Sequence, residues 1–186
     1  MAKLNSIGLI EVSSIATGYL AQDAMLKAAD VQLLLARTIC SGKYLVVIGG
    51  EVAAVSASVE AGAGRCNGSL IEKRVITQVH QDVFPAIGLS VDVPTDRALA
   101  LGVIETFSAS SIIDVADACA KSADVTLLRI HLAMALGGKG FVLLTGSVAS
   151  VEAAVSAGTQ VAAEDGILVG RAVIAAPSKE LFREFV

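Results

Sequence analysis

"SIGLIEVSSIATGYLAQDAMLKAADVQLLL" (Ser6–Leu35) returns further along the chain as "ALGVIETFSASSIIDVADACAKSADVTLLR" (Ala100–Arg129). Gly8 aligns with Gly102, Glu11 with Glu105, Asp23 with Asp117, Lys27 with Lys121 and Asp30 with Asp124, a shift of about 94 residues. After a two-residue insertion the similarity continues: "SGKYLVVIGGEVAAVSASVEAG" (Ser41–Gly62) matches "GGKGFVLLTGSVASVEAAVSAG" (Gly137–Gly158). Self-similarity at a fixed spacing marks one structural unit written more than once. The chain therefore reads as two tandem domains, residues 1–93 and 94–186, joined near "SVDVPTDRA", where Pro94 and two aspartates form a short linker.

Within the first copy, Ser6–Val12 is β-rich, and Gly18–Ala29 carries Leu20, Ala24 and Ala28 at helical spacing. Val31–Arg37 and Tyr44–Ile48 read as strands joined by a hairpin at "TICSG". Glu51–Ala61 is helical, Leu70–Thr77 a last strand, and "QDVFPAI" a short terminal helix. In the second copy Ser111, with Asp114 three residues on, resembles a capping box. The order β-α-β-β-α-β predicts an α/β (α+β) fold, two ferredoxin-like units in tandem.

Composition narrows the function. Of 186 residues 54% are hydrophobic and mean hydropathy is +0.72, yet aromatics are only 4%, so the apolar surface belongs to small, close-packing side chains. A domain of about 90 residues buries only roughly two thirds of its unfolded surface, which implies an oligomer with extensive contacts. Charged residues interrupt every apolar run well before the roughly 20 residues a membrane span needs, so no span is expected. The N-terminal segment meets Glu11 early and lacks the pattern of a secretory signal, and a cytoplasmic protein is expected. A net charge of −4 with a pI near 5.1 offers no basic footprint, and nucleic-acid binding is not expected.

No enzyme site is legible. His80 and His131, the two histidines, have no serine or carboxylate at triad spacing and read as structural or surface residues. Glu11 and Glu105 occupy matching strand positions, which favours a shared structural contact over a catalytic pair. Gly49-Gly50, between a strand and a helix, reads as a tight turn requiring positive φ, not a phosphate loop. The three cysteines form no C-x-x-C, so neither a disulfide framework nor an intrachain metal site is expected. Cys119 reads as a small buried hydrophobe, and Cys66 lies in the glycine-rich loop "GAGRCNGS". Cys40, on a hairpin turn, is either a merely exposed thiol or a group projected toward an interface or axis.

The paired blocks "GLIEV", "DAMLKAADVQLL" and "SGKYLVVIGGEVAAVSASVEAG", with their second-copy counterparts, resemble two bacterial microcompartment shell domains, and the resemblance covers nearly the whole chain. It implies a structural, non-enzymatic tile: a homotrimer of double domains forming a pseudohexamer that packs with other shell proteins in a cytoplasmic microcompartment. "TICSGK" is further similar to the pore loop of iron-sulfur-bearing tandem shell proteins of propanediol-utilisation compartments. That similarity implies that Cys40 ligates a cluster at the central pore, 4Fe-4S or alternatively 3Fe-4S, one per trimer. Backbone N–H groups of Ser41 and Gly42 would donate to its sulfurs. A threefold axis turns one cysteine into three ligands, which a lone chain without C-x-x-C cannot supply. The expected pore residues are Ile39, Cys40 and Ser41 from one copy and Leu136 and Gly137 from the other, Leu136 standing where Cys40 stands. Encapsulated redox enzymes are further implied partners. Lys27 and Lys121 match the family's tile-edge lysine. The edge sequence "PRPH" of many shell domains is replaced by "TQVH" (Thr77–His80) and "AAPS" (Ala175–Ser178), which implies a minor facet component. The alternative functions are a cluster-free tile whose pore passes a small metabolite, and a ferredoxin-like effector-binding module.

Overall fold

The computed structural model describes residues 4–89, 91, 100–134 and 136–183. The chain divides into two compact units between Phe84 and Pro85. The junction expected at 93/94 lies outside the described residues.

The first unit comprises β1 (Ser6–Val12), α1 (Ile15–Ala28), β2 (Gln32–Ile39), β3 (Lys43–Gly50), α2 (Val52–Ala63) and β4 (Leu70–Thr77); α3 (Val83–Gly88) spans the division. The sheet order is β2-β3-β1-β4 and every neighbouring pair is antiparallel, as a split βαβ fold requires. The second unit repeats it with β5 (Ala100–Thr106), α4 (Ser111–Ser122), β6 (Val125–Leu132), β7 (Gly140–Gly146), α5 (Val148–Glu164) and β8 (Leu168–Ile174) in the order β6-β7-β5-β8, followed by α6 (Lys179–Arg183). Even the irregularities recur. The register shifts at Leu33/Leu35 and at Leu127/Arg129, which are aligned positions.

Strand alternation sends Ile10, Val12, Tyr44, Val46 and Ile48 to one face, where they meet Ala21 and Met25 of α1 and Val55 and Val59 of α2. The helices lie so close that a Cβ on Gly8 would come within 2.6 Å of Val59 Cγ2. Gly102 repeats the constraint, at 2.7 Å from Leu144 Cδ1. On the opposite face of the second sheet, Leu181 of α6 packs on Leu101, Leu128 and Leu143.

One contact is exchanged between the copies. In the first, Gly18 of α1 lies against the ring of Tyr44, which a Cβ would approach to 2.5 Å. At the aligned positions of the second, Ile112 of α4 lies against Gly140, whose Cβ would come within 2.8 Å of Ile112 Cγ2. Large and small have changed places across one helix-strand interface.

Local chemistry moved several expected features. The first helix starts at Ile15, not Gly18, because Ser14 caps it: its Oγ accepts the Thr17 N–H at 3.3 Å. Ser111 is not an N-cap. It is the first helical residue after Ser110, and its N–H donates to Ser108 Oγ at 3.3 Å. Gly49 and Gly50 are not a positive-φ turn but the last residues of β3, paired with Ile7 and Ser6. Cys66 is not in an open loop. It is buried just beyond the end of α2, where its thiol donates to the Gly62 carbonyl at 3.3 Å. Cys119 is fully buried, as a small core residue.

Candidate functional site

The β2–β3 hairpin closes on the pair Ile39↔Lys43, so its tip is the single 3-10 turn Cys40–Gly42. Such a tight reversal needs left-handed backbone, which Ser41 and Gly42 supply at φ 63° and 73°. Gly42 has open space where a Cβ would stand. Ser41 tolerates the left-handed region at a cost of about 1 kcal/mol or more that glycine avoids; its second-copy counterpart, Gly137 at φ 64°, is a glycine. Cys40 is in no disulfide and is half-buried, with Ser41 and Gly42 exposed beside it, while Ile39 is buried behind them.

The second hairpin ends its ladder at Leu132↔Gly140 and makes a longer tip. Ala133 donates its N–H to the Lys139 carbonyl at 3.1 Å, and Lys139 donates its own to Leu136 at 3.3 Å. Gly137 and Gly138 turn the chain at φ 64° and 93°. Leu136 is half-buried and Gly137 exposed.

Each tip is anchored by the same ion pair. Lys43 Nζ meets Glu11 Oε1 at 2.7 Å, and Lys139 Nζ meets Glu105 Oε1 at 3.0 Å. This is the shared structural contact expected for the two glutamates. The environments differ, however. Glu11 faces Glu72 directly across the β1–β4 ladder and its side chain is 11% exposed, whereas Glu105 faces Gly170 and is 35% exposed. Like charges opposed on neighbouring strands repel, so Lys43 has the greater electrostatic task. The lysines escaped the sequence reading as partners, although both members of each pair recur in register, and that recurrence was the available signal.

The thiols are chemically unequal. Burial pushes the Cys119 thiol up to about 12, with backbone hydrogen bonds opposing, and also raises Cys66. Cys40 is the accessible cysteine. Among the described residues, no three His, Cys, Asp or Glu side chains gather to hold a metal within one chain. A cluster fits this donor set only if Cys40 thiolates from several copies converge.

Lys27 and Lys121 lie in the last turns of α1 and α4, each bound to an aspartate one turn earlier: Asp23 at 2.7 Å and Asp117 at 2.6 Å. His80 sits beside Asp82, with 3.7 Å between Nδ1 and the carboxylate. His131, which no spacing connects with the second tip, reaches the Met134 carbonyl through Nε2 at 2.8 Å.

The family model described as BMC domain matches residues 6–79 and again 100–177. The bacterial microcompartment shell protein PduT of Citrobacter freundii is 40% identical over 182 residues, covering 97% of each chain. Carboxysome shell protein CsoS1 of Prochlorococcus marinus (strain MIT 9313) is 36% identical over 86 residues, 45% of this chain and 84% of its own. The crystal structure of a microcompartment protein from Desulfitobacterium hafniense DCB superposes with a TM-score of 0.93 at 48% identity, covering 97% of this chain and 99% of that one. A fused permuted hexameric shell protein shares the fold at a TM-score of 0.59 and 23% identity, over 85% of this chain and 81% of its own.

Proposed function

Since the chain belongs to the BMC-domain family, as a tandem-domain shell protein that is structural and not catalytic, we propose that it forms a homotrimeric pseudohexameric tile carrying an iron-sulfur cluster at its central pore. The observation that carries this reading is the placement of the accessible cysteine at the tip of one hairpin, with Leu136 in its place at the other. Threefold symmetry brings three Cys40 thiolates to one point while the second-copy tips contribute none. Three converging thiolates repel one another in the absence of a cation, and a cluster reverses that balance.

Cys40 holds the cluster, and the Ser41 and Gly42 backbone, turned left-handed at the tip, offers N–H donors to the sulfurs. Bound there, a 4Fe-4S cluster would supply one-electron chemistry. The tile then passes electrons across the shell or senses redox state. Ile39 backs the loop, Leu136 and Gly137 complete the pore rim, and Lys27 and Lys121 stand at the edge where neighbouring shell tiles meet. Encapsulated redox enzymes are the partners such a relay requires.

Anaerobic iron and acid-labile sulfide analysis of the purified assembly, with its mass from sedimentation, tests this. One cluster per three chains is expected, lost in Cys40→Ser without loss of the trimer. A trimer that takes up no iron or sulfide on reconstitution would instead support a plain metabolite pore.

A further inference from the structure

The two hairpin tips are held differently. The first is short and closes on Ile39↔Lys43. The second leaves its ladder through Ala133 at φ 57°, a left-handed conformation unfavourable to a residue with a Cβ. There the Met134 N–H donates to the Leu132 carbonyl at 2.8 Å, closing a three-residue γ-turn around Ala133. Such a conformation persists only where its surroundings impose it.

His131 lies against this turn. Its ring lies parallel to that of Phe141, the residue directly across the β6–β7 ladder, with centroids 4.9 Å apart and planes within 7°. The stack fixes the ring plane and leaves Nε2 at 2.8 Å from the Met134 carbonyl, the outward end of the turn. A carbonyl only accepts, so Nε2 carries the proton. Arg37 and Leu45 stand at the matching positions of the first copy, and no stacked pair forms there.

We propose that His131 is the positioning residue of the second-copy loop, its Nε2–H fixing the Met134 carbonyl and thereby the course of the chain that presents Leu136 and Gly137 to the pore. The last clause rests on the pore reading above; the latch itself does not.

The test is hydrogen exchange on the intact assembly, comparing wild type, His131→Leu and His131→Gln, whose terminal amide retains a donor. Amides of residues 133, 134 and 136–139 are expected to exchange roughly three- to tenfold faster in His131→Leu, the span one net hydrogen bond accounts for. The first-copy loop should be unchanged and His131→Gln should recover most of the protection. Nitrogen-15 spectra of the wild-type ring, which need no variant, should show Nε2 protonated. Unaltered exchange in His131→Leu, or a ring protonated on Nδ1 alone, would overturn the latch. In a Cys40→Ser background, Leu136→Cys should cross-link between chains with a short bifunctional maleimide, and less so with His131→Leu. Absence of cross-linking while His131 is present would overturn the pore clause, leaving the exchange result to judge the latch separately.

Discussion

Replacing Gly18 by alanine should destabilise the chain, and the same replacement should stabilise it once Tyr44 has been cut to glycine, the residue at the aligned position of the second copy. A Cβ on Gly18 would stand 2.5 Å from Tyr44 Cδ1 and 2.6 Å from its Cβ and Cγ, closer than carbon atoms approach. The ring has little room to retreat: Tyr44 is buried, its hydroxyl donates to Gln22 Oε1 at 2.9 Å, and Tyr19 packs on it at 5.0 Å between centroids. Overpacking of this kind costs about 1–3 kcal/mol. Glycine to alanine inside a helix returns about 1 kcal/mol, so the net loss is up to about 2 kcal/mol. Tyr44→Gly alone should lose about 4–6 kcal/mol, a large-to-small core change with a further cost for glycine within a strand. In that background the obstruction is gone and only the helical gain of about 1 kcal/mol remains. Chemical denaturation of the four variants at one protein concentration measures the cycle, since oligomer stability depends on concentration. An effect of the same sign in both backgrounds would refute the packing argument. It would also remove the reason given for the reversed pair at Ile112 and Gly140.

The repeated ion pairs should prove unequal. Lys43→Met, which takes the ammonium from the largely buried Glu11, should cost about 1–2 kcal/mol, and Lys139→Met, beside the more exposed Glu105, less than about 1 kcal/mol; equal losses in denaturation would contradict the electrostatic difference between the tips. Cys119 should impose an alkaline limit on the second unit. Its thiol is pushed up to about 12 in the fold against 9.0 for an unburied thiol, so above about pH 9 the unfolded chain releases a proton the folded chain keeps. Its contribution is complete below that pH and is lost as pH rises toward 12, at about 1.4 kcal/mol per pH unit relative to Cys119→Ala, measured by denaturation across the range. A thiol reagent should modify Cys40 alone in the native cluster-free protein and all three cysteines after unfolding; native labelling of Cys66 or Cys119 would contradict their burial.

Much of the fold was legible because the chain states its pattern twice. β-rich runs at Ser6–Val12 and Leu70–Thr77 give strands at those bounds, and apolar spacing gives the helices. What misled were residues whose meaning depends on neighbours distant in sequence. Gly49-Gly50 has the composition of a turn, but the ladder with Ile7 and Ser6 extends through it. Cys66 sits among glycines and is nonetheless drawn under α2 by the core it completes. The exchange of Gly18 and Tyr44 for Ile112 and Gly140 was visible in the alignment of the copies. It acquired meaning only when the helix was seen lying on the strand. The candidate site divides the same way. The cysteine at the hairpin tip could be found by reading, because a loop cysteine opposite a loop leucine is a sequence contrast. His131 could not, since its role comes from a stacked ring and a turn that no spacing encodes.

The most direct test of the cluster at the pore is anaerobic electron paramagnetic resonance of the purified trimer, oxidised and dithionite-reduced, beside Cys40→Ser. An iron-sulfur signal in the wild type that vanishes in the variant, with both still trimeric, is the expected result. A signal of undiminished intensity in Cys40→Ser, or none in reconstituted wild type, would contradict an axial cluster held by that thiol.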